Sequence, residues 1–209
     1  MPEFKKHEVI SSKASEYTLD ESDVSKIIDA TSSLRDKIIL ELLAFTGCRR
    51  HELCLLRIKD IDFTNERIFM PTAKQGTNPY NVLREIPFIN NNLKRDLQSY
   101  IEILKAKHPN IGNEDKLIPL TTTMVSIIVR DTAERAGVKS SNPKRKWIQP
   151  HIFRHTFVRY ARKCGMDYVS IQEIVGHADI STTMGMYGKP TWADKVTEAK
   201  KMERYSRLQ

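Results

Sequence analysis

Pro150-His151-Ile152-Phe153-Arg154-His155-Thr156-Phe157 is the stretch from which the rest of this chain can be organised. Laid on a helix at about 100° per residue, Phe153, Phe157, Tyr160 and Cys164 fall on one side, while His151, Arg154 and His155 share a stripe on roughly the other. The expectation is a helix that buries an apolar face and holds two imidazoles and a guanidinium on the opposite one. Basic groups clustered against an apolar anchor suit a phosphate, because a guanidinium can donate two parallel hydrogen bonds to its oxygens.

On the N-terminal side, Lys144-Arg145-Lys146 closes a basic loop running from Val138, and Met124, Ile127 and Ile128 mark a helix stopped by Gly137. Further back, Leu93, Leu97, Tyr100, Ile101 and Leu104 form a helical stripe that ends before His108-Pro109. Ile61 to Phe63, Arg67 to Met70 and Leu83 to Pro87 have the composition of short strands, and the turn-rich Lys74-Gln75-Gly76-Thr77-Asn78-Pro79 between the last two places Lys74 near a hairpin tip. Leu34 to Phe45 is apolar on most sides and is expected to be the central buried helix, ended by Thr46-Gly47, with Leu53 and Leu56 of a shorter helix packing inward after it. Thr18-Leu19-Asp20 supplies caps for a first helix carrying Val24, Ile27 and Ile28.

On the C-terminal side, Tyr168 to Val175 forms a short helix capped by Gly176, His177 follows the cap, and a further helical turn runs from Asp179 to Met186 before Tyr187. Thr191 with Asp194 opens a charged last helix, Trp192 to about Leu208, whose thin apolar face is Trp192, Val196 and Ala199. The expected fold class is α+β and mainly α-helical, with a small three-stranded antiparallel sheet. The organisation is a polar arm or linker remnant at 1–17, one domain at 18–190 and a terminal helix at 191–209.

The totals narrow the partners. With Lys and Arg at 34 against 26 Asp and Glu, the net charge is +8, which favours a polyanion. No apolar run is long enough to span a bilayer and the N-terminus lacks a leader-like segment, so the expectation is a cytoplasmic chain with no membrane association. Cys48, Cys54 and Cys164 are odd in number and scattered, as expected for reduced thiols. Cys48, His51 and Cys54 have the look of zinc ligands, but on one helix the two cysteines would point about 120° apart, so no metal site is expected there.

Read in order, the chain presents Thr46-Gly47-Cys48-Arg49-Arg50-His51-Glu52-Leu53, a hairpin lysine, His151-Ile152-Phe153-Arg154-His155, Gly176-His177 with Thr182-Thr183, and then Tyr187. This series resembles the catalytic domain of the tyrosine recombinases, the phage-integrase family with its Xer-like members, from about Thr18 to Tyr187. The resemblance implies Arg49 and Arg154 as phosphate clamps, His151 and His177 as hydrogen-bonding or proton-handling groups, Lys74 as general acid and Tyr187 as nucleophile. Arg50, Lys144, Arg145 and Lys146 are the expected DNA-binding residues around that site. Tyr205, beyond the motif, is the rival nucleophile.

The implied activity is site-specific cleavage and rejoining of double-stranded DNA through a 3′-phosphotyrosyl intermediate, without cofactor, metal or ATP, in a homo-oligomer, a tetramer on DNA. Chemistry alone leaves open a type IB topoisomerase-like relaxase, which shares these steps without exchanging partners, and a non-catalytic DNA-binding protein of the same fold. Because only a short polar arm precedes Thr18, this chain alone is expected to bind DNA weakly, and a low-nanomolar Kd at physiological salt would contradict that.

Overall fold

A computed structural model describes residues 17–72, 80, 82–140, 142 and 146–176 of the 209-residue chain. Among these, seven α-helices surround and flank one three-stranded antiparallel sheet. The helices are α1 (Glu21–Asp29), α2 (Leu34–Thr46), α3 (Arg50–Leu53), α4 (Asn91–Lys107), α5 (Thr122–Arg135), α6 (Pro150–Lys163) and α7 (Tyr168–Val175). The strands are β1 (Ile61–Asp62), β2 (Arg67–Pro71) and β3 (Leu83–Pro87), preceded by a 3-10 turn at Ile58–Asp60. The expected α+β class with its small sheet is thus the observed one.

The helix starts are set by side chains that accept orphan backbone N–H groups. Asp20 accepts from Asp23 N at 2.7 Å, Ser33 from Asp36 N at 3.1 Å, Asn90 from Leu93 N at 3.0 Å, and Asp167 from Ser170 N at 2.9 Å. Helix α6 has no such cap and begins instead with Pro150, whose missing N–H and fixed φ suit a first helical position.

Helix α2 is the hub, with Ile38, Ile39, Leu40, Leu42 and Leu43 fully buried and α1, α4, α5 and α6 packed around it. Each such aliphatic side chain contributes about 1.5–3 kcal/mol of transfer free energy, so this one helix anchors much of the hydrophobic stabilisation. The N-terminal segment is tied to α6: Leu19 N donates to Thr156 Oγ1 at 2.9 Å, and Arg159 donates to Thr18 Oγ1. Tyr17 follows that tether to the rim of a cleft described below.

In the sheet, Ile68 pairs with Ile86 and Met70 with Arg84. Strand β3 alternates exposed and buried positions, and its two inward residues are Ile86 and Arg84. The guanidinium on the buried side of a strand is the feature that links the sheet to the helical body.

One expectation about a helix face needs correction, that for α6, and on α5 the fold decides between two possible faces. Helix α5 buries Val125, Val129, Thr132 and Ala133, whereas Met124 and Ile127 are exposed at 46% and 41%. The sequence holds two apolar stripes at helical spacing, and the body packs against the one containing the smaller, β-branched residues. On α6 the buried side is wider than the Phe153–Phe157 stripe: it includes Ile152, Thr156, Val158 and Ala161 as well as Arg154, while Cys164 is exposed and Tyr160 half-buried. Arg154 is therefore not on an open basic face; its side chain reaches inward, and only His151 of the expected stripe stands in solvent.

Candidate functional site

The site forms where four chain ends meet: the turn from α2 into α3, the first turns of α6, the C-terminal cap of α7, and the facing ends of β2 and β3. Gly47 ends α2 in the left-handed conformation, φ 60°, and a Cβ there would stand 2.8 Å from Phe157 Cδ1 and 3.1 Å from Val175 Cγ1. Only glycine lets this turn press against both α6 and α7. The close approach delivers Arg49 beside Arg154.

Arg49 precedes α3 and Glu52 lies three residues on, fully buried. The Glu52 carboxylate accepts the Arg49 backbone N–H at 2.9 Å and Arg49 Nη1 at 2.8 Å. It also receives Arg84 Nη2 at 2.8 Å and Nη1 at 3.1 Å. Burial alone would raise this carboxyl, but the Arg84 hydrogen bonds and charge, with the Arg49 contributions, hold it below its ordinary value.

Arg154 is 1% exposed and donates Nη1 to the Gly47 carbonyl at 2.8 Å; its Nη2 is buried without a hydrogen-bond partner among the described residues. Burial, and then repulsion from Arg49, pushes this guanidinium down to about 9, which still leaves it charged at neutral pH. Three guanidinium groups, Arg49, Arg84 and Arg154, thus face one carboxylate. The local balance is two positive charges in excess, and a buried donor stands ready for an acceptor.

Beside this cluster lies a cleft of about 750 Å³ lined by Tyr17, Arg49, Arg50, His51, His151 and His155 among others. His151 is exposed at its edge, its ring edge-on to His155 with centroids 4.3 Å apart. Burial, then His151, pushes His155 down to about 4, so it is neutral and suited to orienting its neighbour rather than carrying charge. Arg50 is exposed and donates to Ser126 Oγ at 2.8 Å, and Lys146 lies with Nζ 4.5 Å from the Trp147 ring centroid. Cys48 and Cys54 are buried thiols, that of Cys48 pushed up to about 12 by burial, and no group of metal-ligating side chains occurs among the described residues.

The fold brings Arg49, Arg154, His151 and Arg50 together. Lys74, Lys144, Arg145, His177 and Tyr187 lie outside the described residues, as does the tail at 191–209. Two residues of the cluster had no role assigned from sequence. Glu52 could have been found from its place three residues after Arg49 on a helix start, and Arg84 from its alternation in register with Ile86, which turns a charge inward.

A buried donor set with excess positive charge, opening on a basic cleft at the ends of helices, is an arrangement chemically suited to an anion within an α+β domain. The phage integrase family model matches residues 17–191, and the chain belongs to that family. It is 32% identical over 165 residues to the tyrosine recombinase XerA of Saccharolobus solfataricus, covering 79% of this chain and 50% of the relative. It is 33% identical over 180 residues to the XerA of Pyrococcus horikoshii, covering 83% of this chain and 57% of that one. The chain spans about half the length of these curated relatives. The crystal structure of XerA recombinase superposes with a TM-score of 0.66 at 24% identity, over 96% of this chain and 66% of that one. The Tn1549 transposon integrase in complex with circular intermediate DNA gives 0.61 at 26% identity, over 87% and 64%. No helix among the described residues is long and apolar enough to cross a membrane.

Proposed function

We propose that this chain is the catalytic part of a site-specific DNA recombinase that cleaves and rejoins strands through Tyr187. The observation that carries the proposal is the Arg49–Glu52–Arg84–Arg154 cluster, with its surplus of positive charge and the unpartnered Arg154 Nη2. A scissile phosphodiester supplies what that cluster lacks. Negative charge grows on its non-bridging oxygens as an oxygen nucleophile approaches, and fixed guanidinium donors stabilise it with no reorganisation at the moment of reaction.

The Tyr187 oxygen forms a bond to phosphorus while the bond from phosphorus to the 5′ oxygen breaks, leaving a 3′-phosphotyrosyl linkage. A phenol with an ordinary pKa near ~10 is a weak nucleophile at neutral pH, so its proton must pass to a neighbour, a role assigned to His151 or His177. Lys74 donates a proton to the departing 5′ oxygen. Attack by a 5′ hydroxyl then reverses the bond changes and releases Tyr187, so rejoining draws on the energy held in the phosphotyrosyl bond. Arg50, Lys144, Arg145 and Lys146 serve as backbone contacts to double-stranded DNA.

Action as a homo-oligomer on paired sites is part of the same proposal. It is supported by an apolar groove of about 750 Å³ that includes Val24, Ile28, Phe45 and Phe157 and carries Glu21 and Asp29 at α1. Read as a helix, the tail at 191–209 would present Trp192, Val196 and Ala199 on one face, and its five Lys and Arg against three Asp and Glu give it a modest positive charge. We assign that groove to the tail of a neighbouring protomer.

A nicked suicide-substrate library tests the reading. Wild type should accumulate a covalent protein–DNA adduct that Tyr187→Phe abolishes, and deletion of 191–209 should weaken assembly on the recovered site while sparing single-strand cleavage. An adduct that survives Tyr187→Phe, or none from wild type on any sequence, defeats the catalytic assignment; unchanged assembly defeats the docking.

A further inference from the structure

Arg84 adds charge to the cluster but is given no contact with the phosphodiester, and the fold buries it at 9% exposure on the inward side of β3. Burying a guanidinium carries a desolvation cost that only well-formed hydrogen bonds offset. All three of its nitrogens are engaged. Nε donates to the Ile174 carbonyl at 3.1 Å, Nη1 to Glu52 Oε1 at 3.1 Å and Thr72 Oγ1 at 3.3 Å, and Nη2 to Glu52 Oε2 at 2.8 Å.

Arg49 meets the same partners from the cleft side. Its Nη1 shares Glu52 Oε1 at 2.8 Å, and its Nη1 and Nη2 lie 3.4 and 3.3 Å from the Gly176 carbonyl. The two arginines thus hold two carbonyls at the end of α7 on either side of Val175, Ile174 by Arg84 and Gly176 by Arg49, with Glu52 as the bridge between them. The cap is shaped for this. Gly176 has φ +67°, and a Cβ on it would stand 2.6 Å from Arg84 Nη1.

Without Arg84, each Glu52 oxygen loses one of its two donors and the Ile174 carbonyl loses the Arg84 Nε–H, so Arg49 is left as the cation paired with the buried carboxylate. Arg49 would then turn toward Glu52 and away from the cleft, where its side chain is now 39% exposed. We propose that Arg84 is a positioning residue: its fork on Glu52 and its bond to the α7 carbonyl set the orientation in which Arg49 presents its guanidinium to an anion in the cleft. This rests on Arg49 acting as a phosphate clamp. A lysine at position 84 restores the charge but not the fork, which separates orientation from charge count.

The test uses the full chain with Arg84→Lys and Arg84→Gln, each checked for folding by circular dichroism. In the free protein, side-chain NMR follows the Arg49 Nε–H signal, assigned by its loss in Arg49→Lys, during titration with inorganic phosphate. Arg84→Gln should shift that signal and weaken phosphate binding, with Arg84→Lys in between. On DNA, the single-turnover rate of adduct formation at saturating substrate should fall roughly 10²-fold for Gln and ~10-fold for Lys, while DNA affinity changes by less than about threefold.

Should Arg84→Gln fail to fold, Arg84→Lys carries every readout. An unmoved Arg49 signal with an unchanged rate overturns the proposal. So does a rate loss matched by an equal loss of DNA affinity with the Arg49 signal in place, since that is the mark of a merely structural role. If wild type forms no adduct, the recombinase reading fails by itself, and the Arg49 signal and phosphate binding still decide the positioning.

Discussion

Among the described residues two glutamates are buried, Glu52 at 0% and Glu41 at 2% exposure, and they are surrounded in opposite ways. Glu52 is gripped by Arg49 and Arg84, with Arg154 behind them. Glu41, on α2, faces the apolar groove with Asp96 of α4 beside it; their shared cation is Lys37, which pairs with Asp96 at 2.5 Å and stands 3.9 Å from Glu41. The first cluster has excess positive charge; in the second, Lys37 and Arg95, whose Nε stands 3.6 Å from Asp96, balance two carboxylates and leave no cation over. Accordingly the Glu52 carboxyl lies below its ordinary value, while burial and then Asp96 raise Glu41 from 4.5 to about 7. The surroundings thus favour the charged form of one buried glutamate and the neutral form of the other.

The comparison can be broken first at Glu52. Glu52→Ala leaves the Arg84 guanidinium buried without its partner, and removal of one partner of a buried pair costs about 3–5 kcal/mol. Urea unfolding near pH 7 measures this, and a loss below about 1 kcal/mol would mean that the cluster is not held by Glu52.

Glu41 should show the opposite sign. Its folded-state pKa is raised, so the folded protein binds more protons than the unfolded chain between about pH 4.5 and 7, and stability is lost as pH rises through that window. Glu41→Gln fixes the neutral form. Its stability should match wild type near pH 4.5 and exceed it by up to about 3 kcal/mol at pH 8. Parallel stability curves across this range would remove the contrast.

The smallest effect sharpens the contrast at the cleft. Inorganic sulfate should raise Tm by an amount equivalent to about 1–3 kcal/mol at concentrations well above its Kd, through binding to the folded state only. Arg154→Met should remove most of that gain, whereas Glu41→Gln should keep it. Equal sulfate response in both variants would place the anion elsewhere.

Much of the fold was legible because the punctuation is local. Asp20, Gly47 and Gly176 begin or end helices through a side-chain cap or a left-handed residue, and all three perform the role that the sequence implies. What was not legible depends on which neighbour packs where. The Arg154 spacing is compatible with an exposed stripe, and its burial follows from the α2–α3 turn pressing on α6, a contact 107 residues distant in sequence. The apolar spacing of α5 supports two faces, and only the tertiary contact of Val125 and Val129 decides between them. Arg49, His151 and Arg154 were nameable from their ordered motifs; Arg84 was not, because a lone arginine in a short strand gives no sign of its partners until Glu52 and Ile174 are brought to it.

The bond from Leu19 to α6 makes Tyr17 a fixed exit beside the cleft. Any domain joined ahead of the arm at 1–17 would therefore be leashed to the cleft by that arm, and if both bound one nucleic acid its contacts would become intramolecular. Under such a leash, the local concentration of one ligand segment around the second binder is of millimolar order. Two individually weak grips would then hold as one strong grip, and the length of chain ahead of Tyr17 would set how tightly.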